Sequence, residues 1–367
     1  MGFFLFFSML IASVSSMELR SCDDLHEVFN MAKERNVNTT VESSATIQCE
    51  ELTTFTLDGY DMGVYYAGDD GRTYVTVDLY NVRFETMGGS ELTWEPNVNF
   101  EYKREDLEHV EDLPDFEGGA LHIGEGSTVN FLNDFQTTNV GILSESRTDG
   151  GCVWNQGKLS VRGNTIMTNC ENYGFEDGSG GEGGAIFNGV NGTINMNNVE
   201  ISESYAQESN GGGFFNSGKV SIFGISTFSG MMSKNGGAIF NDIGGVFTFK
   251  KNTNMVFSDC RADKTGGAVY NLGTFKFSGL ASVFTAGSSS NRGGQIYIGE
   301  GGYMKLKNTS LFMNNKSEEG TGAAVFVQSG GQFYYYKKEA FFVNNKSVYE
   351  ESTCQGVFYE DGEKCLE

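Results

Sequence analysis

Short runs of alternating apolar and polar side chains recur along most of this chain. Aligned, they read KLSVR from Lys158, TINMN from Thr193, KVSIF from Lys219, VFTFK from Val246, TFKFS from Thr274, YMKLK from Tyr303 and QFYYY from Gln332. Side chains alternate across a strand, so Leu159/Val161, Ile194/Met196, Val220/Ile222, Phe247/Phe249, Phe275/Phe277, Met304/Leu306 and Phe333/Tyr335 share one face. Ser160/Arg162, Asn195/Asn197, Thr248/Lys250 and Lys305/Lys307 share the other. The first set is the predicted core.

Each run follows a glycine-led hexad: GGALHI from Gly118, GGCVWN from Gly150, GGAIFN from Gly183, GGGFFN from Gly211, GGAIFN from Gly236, GGAVYN from Gly266 and GGQIYI from Gly293. Two degenerate copies follow, GAAVFV from Gly322 and QGVFYE from Gln355. A looser third strand then pairs an apolar residue with a small or polar one three later: Ile166 with Asn169, Phe257 with Cys260, Phe312 with Asn315, Phe342 with Asn345. The hexads recur every 25 to 33 residues, a spread that the loops of a solenoid absorb but a helical repeat does not. Three short strands per repeat predict an all-β fold: a single-stranded parallel β-helix, right-handed by the chirality of parallel crossovers.

The hexad has a physical logic. Its glycines supply positive φ and let backbones of successive coils approach at a corner. The sixth position is Asn in five consecutive copies (Asn155, Asn188, Asn216, Asn241, Asn271), and stacked amides hydrogen-bond as a ladder along the axis. The fourth position is never polar and is read as inward-facing: Leu121, Val153, Ile186, Phe214, Ile239, Val269, Ile296, Val325 and Phe358. The fifth then faces outward as an aromatic stripe of His122, Trp154, Phe187, Phe215, Phe240, Tyr270, Tyr297, Phe326 and Tyr359, a candidate ligand platform. The opposite parity would make that stripe an internal stack.

These GGA[IV][FY]N units with trailing F-x-x-N strands resemble the repeats of polymorphic outer membrane proteins and, more broadly, pectin-lyase-like right-handed β-helix proteins, over residues 118–360. The resemblance to the first family implies a secreted surface protein or adhesin, here ending after its last coil without the C-terminal β-barrel. The resemblance to the second implies, as the alternative, a polysaccharide lyase or glycoside hydrolase.

The flanks complete the expected organisation. Residues 1–16 read as a signal peptide, with an apolar run too short for a comfortable span and small residues before a cut at Met17. Residues 17–90 hold a capping helix, with Leu25, Val28, Phe29 and Ala32 at helical spacing, then irregular early coils. Their strand candidates are residues 38–41, 55–57 and 74–79, with a polar turn over 61–72. Residues 91–117 carry ten acidic against two basic side chains and two prolines, and read as an acidic loop. Residues 361–367 form a C-terminal tail held by a disulfide. Seven cysteines suit an oxidising compartment: Cys22/Cys49 and Cys354/Cys365 bracket the two ends, while Cys152, Cys170 and Cys260 leave one thiol over. Sequons at Asn38, Asn191, Asn308, Asn315 and Asn345 are glycosylation candidates.

The formal charge of −23 disfavours nucleic acid or an anionic membrane as a partner for the surface as a whole, since either would be repelled at range. No cofactor or metal motif is present; calcium would suit the acidic residues, but D-x-D-x-D-G spacing is missing. The hydrolase signatures N-T-D, G-H-G and R-I-K are missing too, and His26, His109 and His122 are scattered. The best outward cluster is basic: Lys250, Lys276, Lys305 and Lys307. Like charges on stacked strands repel, and an anionic polymer would relieve them. The expectation is therefore a secreted, non-enzymatic scaffold, adhesin or glycan-binding solenoid, partnered by an extracellular polysaccharide or cell-surface glycan, or by a second copy. A lyase or hydrolase acting on acidic polysaccharide is the alternative.

Overall fold

The computed structural model describes residues 19–33, 36–41, 43–66, 75–102, 118–142, 149–173, 181–336, 339–347, 356–360 and 364–366. The chain is all-β apart from one helix and winds as a parallel β-solenoid of about nine turns. Hexad pairs with hexad in register through nearly the whole solenoid: Val153 with Ile186, Ile186 with Phe214, Phe214 with Ile239, Ile239 with Val269, Val269 with Ile296, and Ile296 with Val325. The second strands are equally continuous, from Lys158 through Thr193, Lys219, Val246, Thr274 and Tyr303 to Gln332.

A regular coil has four strands, one more than expected. The fourth is two to six residues long and forms its own eight-stranded sheet, from Gly141–Ile142 to Lys346–Ser347. Its inward side chains are Asn172, Ala206, Ser233, Ala262, Ser289 and Ser317, all buried. Residues this small give no apolar alternation, which hides the strand from a hydrophobic pattern. In three coils the second and third strands run on as one bent strand, such as Lys158–Thr168.

Coils begin earlier than the hexads. Val37–Val41 pairs with Met62–Tyr66, which pairs with Glu91–Trp94, which pairs with Thr128–Phe131. Within the segment 61–72, expected to contain a polar turn, Met62–Tyr66 is a strand, and residues 67–72 lie outside the described residues. The expected acidic loop also opens as part of a coil: Glu91–Trp94 and Asn97–Glu101 bury Leu92, Trp94, Val98 and Phe100. Glu91, Glu95 and Glu101 take outward or corner positions and Pro96 falls between the two strands, so acidity and proline masked a regular alternation. Residues 103–117 lie outside the described set.

Ser21 caps the helix Cys22–Ala32, its hydroxyl accepting from the Asp24 amide at 3.2 Å. The helix buries Leu25, Val28, Phe29 and Ala32, as the periodicity predicts. Phe29 lies against Phe55 and Phe84, closing the N-terminal end of the core, and a Cys22–Cys49 disulfide ties the helix to the strand Ala45–Asp58. A second disulfide joins Cys152 to Cys170 across one coil. Cys260 is buried and free; the position equivalent to Cys152 one coil before it is Ala238. The expected Cys354–Cys365 staple lies outside the described residues.

Both glycines of the hexad are required by geometry. The first has φ near +70° in each coil, and at Gly183 an added Cβ would lie 2.3 Å from the Ile186 carbonyl oxygen. The second is where coils touch: at Gly184 a Cβ would lie 2.3 Å from the Gly212 oxygen and 2.6 Å from the Tyr205 backbone of the fourth strand.

Candidate functional site

Three surfaces are built by the repeat, and the fourth and sixth hexad positions fix their orientation. Val153, Ile186, Phe214, Ile239, Val269, Ile296 and Val325 are fully buried, and so are the five ladder asparagines. In the ladder each Nδ2 donates to the next Oδ1 at 2.7 Å, from Asn155 through Asn188, Asn216 and Asn241 to Asn271. Asn271 ends the chain of donors on the Gly273 and Tyr303 carbonyls, at 3.1 Å each. The equivalent positions beyond the ladder are Ile123 and Ile298.

The fifth position lies outside this core, as the parity predicts, and its rings stack on one another. His122, Trp154, Phe187, Phe215, Phe240, Tyr270, Tyr297, Phe326 and Phe358 form one column with centroids 4.2 to 6.2 Å apart and planes within 17° of parallel. The last copy is in register one residue earlier than its sequence suggested, with Val357 at position four and Phe358, not Tyr359, at position five. The third-strand alignment also shifts by one in its first copy: Met167, not Ile166, is in line with Phe257.

Stacking changes what the column can bind. Each inner ring face is occupied by the ring of the next coil, and Phe215, Phe240 and Tyr297 keep under a tenth of their surface. A sugar stacks on an open aromatic face; this column offers edges. Burial also pushes the Tyr297 phenol up to about 12 and raises that of Tyr270, so both stay neutral. The aromatic column of Trp154, Phe187, Phe215, Phe240, Tyr270 and Tyr297, expected as a ligand platform, is thus a packing device first, worth roughly 0.5–1.5 kcal/mol per ring pair beyond area burial.

The outer face of the second strands is different. From Thr128 to Tyr336, eight successive coils present three outward positions each, in or just after the strand. They carry seven cations (Lys158, Arg162, Lys219, Lys250, Lys276, Lys305, Lys307) and no Asp or Glu. Lys276 and Lys305 are direct parallel neighbours, about 4.8 Å apart at the backbone. Lys250 and Lys307 align at the strand end with Ser278 between them. No ion pair involving these seven is formed with the described residues. Lys158, Arg162 and Lys219 were legible as outward residues in the strand alignment, but only the continuous register adds them to the stripe. The face stands out against the chain's charge: residues 1–150 hold 28 acidic and 8 basic side chains, residues 151–367 hold 20 and 17.

Elements of a catalytic centre are not brought together among the described residues. His26 packs on Phe55, His122 stacks on Trp154, and His109 lies outside the described set. No group of three or more His, Cys, Asp or Glu side chains converges among the described residues. Among the described residues the one strongly perturbed carboxyl is Glu182, at the corner before its hexad. Burial raises it to about 7, and Asp149 one coil away adds to the shift. Its oxygens accept from the Asn210 backbone at 3.2 Å and the Asn210 amide at 3.0 Å, and it heads a second ladder through Asn235 and Thr265.

Two of the five sequons are ruled out as sites on the folded chain. Asn315 and Asn345 are buried at the turn into the fourth strand, where Asn315 Nδ2 donates to Asn345 Oδ1 at 2.9 Å and each also donates to a core carbonyl. Asn38, Asn191 and Asn308 are exposed. No described helix is long and apolar enough to cross a membrane. No family model matches the chain, and no curated protein or solved structure matches it either.

Proposed function

We propose that this protein is a secreted, non-enzymatic β-solenoid that holds an acidic extracellular polysaccharide along the outer face of its second strands. The observation that carries the reading is the charge segregation: seven cations and no acid on the outward second-strand positions of eight successive coils, in a chain of net charge −23 whose coil just before them carries Glu91 and Glu95 on the same face. Neighbouring Lys276 and Lys305 repel one another, and a polyanion lying along the axis would turn that cost into binding. The coil repeat of about 4.8 Å is close to the rise of one pyranose residue, so carboxylates or sulfates spaced along a chain would meet cations in successive coils. Two disulfides support a secretory route.

A lyase or hydrolase of acidic polysaccharide is the second reading, favoured by one observation, the raised Glu182 carboxyl beside Asp149. Asn210 already engages both Glu182 oxygens, which supports a structural role for it. The test is to incubate the purified chain with pectate, alginate and sulfated glycans, recording retention by each polymer and the ultraviolet absorbance of unsaturated products. Retention without cleavage is expected. Cleavage would sink the scaffold reading, and absence of retention would remove the glycan.

A further inference from the structure

The turn joining the second strand to the third builds a ridge along the solenoid axis. Among the described residues, seven of the ten exposed large hydrophobic side chains lie on this ridge or the two faces it divides, including Ile225 at 63% exposure, Leu280 at 55% and Phe341 at 52%. On the ridge itself apolar and cationic turns take turns: Phe223 and Ile225 in one coil, Lys250 and Lys251 in the next, then Leu280, then Lys307, then Tyr336. Arg162 begins the series, followed by a neutral turn at Asn197 and Asn198, and no acid interrupts the turns between Arg162 and Tyr336; the carboxylates beside it are Asp134, which accepts from the Asn164 amide at 2.7 Å at the near end, Glu200 on the third-strand face and Glu339 at the far end. The third-strand face next to the ridge is flat and partly apolar, with Val256, Val283 and Leu311 in parallel register.

We infer that this ridge docks onto an anionic phospholipid bilayer. This goes beyond the glycan reading and does not rest on it. A sugar polymer satisfies lysines but leaves Ile225 and Leu280 in water, whereas a bilayer surface takes both: cations meet the phosphates, and aliphatic tips enter the headgroup and acyl boundary with Tyr336 at the interface. A protein partner would be met by pockets that seat anchors, but these side chains project from a convex line of turns. The whole-chain charge repels an anionic surface at range, but at physiological salt charges beyond about 8 Å are largely screened, so at contact the ridge's own cations decide.

The test is flotation of the purified chain with phosphatidylcholine vesicles and with vesicles containing phosphatidylserine, at low and physiological salt. The variants are Ile225→Ser/Leu280→Ser and Lys250→Glu/Lys307→Glu, with the single Ile225→Ser as a milder control for folding. All four side chains are surface positions, so unchanged circular dichroism is expected. Wild type should float with anionic vesicles only, and each double variant should lose at least about five-fold in bound fraction. The Ile225→Ser/Leu280→Ser variant should keep wild-type retention on polygalacturonate, which separates failure of this inference from failure of the glycan reading. Absence of wild-type flotation, or variants that float like wild type, would overturn it. Light scattering adds a further refutation: a dimer lost in Ile225→Ser/Leu280→Ser, without flotation, would assign the ridge to a second copy.

Discussion

Replacing Asn216 by Ile removes the central rung of the asparagine ladder. Its Oδ1 accepts from Asn188 Nδ2 at 2.7 Å and from the Gly218 amide at 3.2 Å, and its Nδ2 donates to Asn241 Oδ1 at 2.7 Å. All three partners are buried. Asn188 Nδ2 retains a longer bond to the Gly192 carbonyl at 3.4 Å, so two groups are orphaned and a third is weakened. At about 1–3 kcal/mol per buried unsatisfied group, the expected loss is roughly 3–6 kcal/mol. The same substitution at Asn271 is the control. It leaves Asn241 Nδ2 with the Gly245 carbonyl at 3.3 Å and takes one donor from the Tyr303 carbonyl and one from the Gly273 carbonyl, which still accepts from the Tyr303 amide at 2.8 Å; the next coil already places Ile298 at that position. Its expected cost is about 1 kcal/mol. Urea unfolding followed by circular dichroism and tyrosine fluorescence reads the difference, with the half-buried, outward-facing Asn195→Ala as a baseline. Equal losses for Asn216→Ile and Asn271→Ile would refute the ladder as a cooperative buried network.

Three further outcomes follow from the packing. Glu182 is raised from 4.5 to about 7 in the fold, so the folded state holds a proton that the unfolded state releases between those values. Its contribution therefore favours the fold at low pH and is lost as pH rises from about 5 to 7, by about 3 kcal/mol; denaturant midpoints across that window should fall in wild type and flatten in Glu182→Gln. Gly184→Ala forces a methyl to 2.3 Å from the Gly212 oxygen, and a loss of more than about 2 kcal/mol, or no folded product, is expected from thermal unfolding. Burial pushes the Cys260 thiol up to about 12, so it should resist a maleimide in the native chain and react on denaturation; fast native labelling would contradict its placement.

The sequence disclosed what repeats by side-chain character and hid what repeats by size. Hexads and second strands were legible because positions four and six and residues such as Leu159 and Val161 differ sharply in polarity from their neighbours. Fourth strands were not, since Ala206, Ser233, Ala262 and Ser289 carry no hydrophobic signal. The coil at Glu91–Glu101 was obscured because outward positions admit any charge, and acidic ones read as loop. The four lysines of the basic stripe share one face with Lys158, Arg162 and Lys219, an alignment that only the register shows, since it joins residues that lie 25 to 35 positions apart. The aromatic stripe was placed correctly but its use was not: a fifth-position ring repeated in every coil has another ring above and below, and alternation alone gives no ring orientation.

Affinity of the Lys276→Glu/Lys305→Glu variant for polygalacturonate, measured by titration calorimetry beside wild type at two ionic strengths, tests the proposed role most directly. Those side chains lie on the second-strand face away from the membrane ridge, and both are solvent-facing, so folding should be unaffected. The account predicts binding by wild type that weakens with salt and falls at least ten-fold in the variant. Wild-type affinity retained by the variant, or binding indifferent to salt, would contradict it.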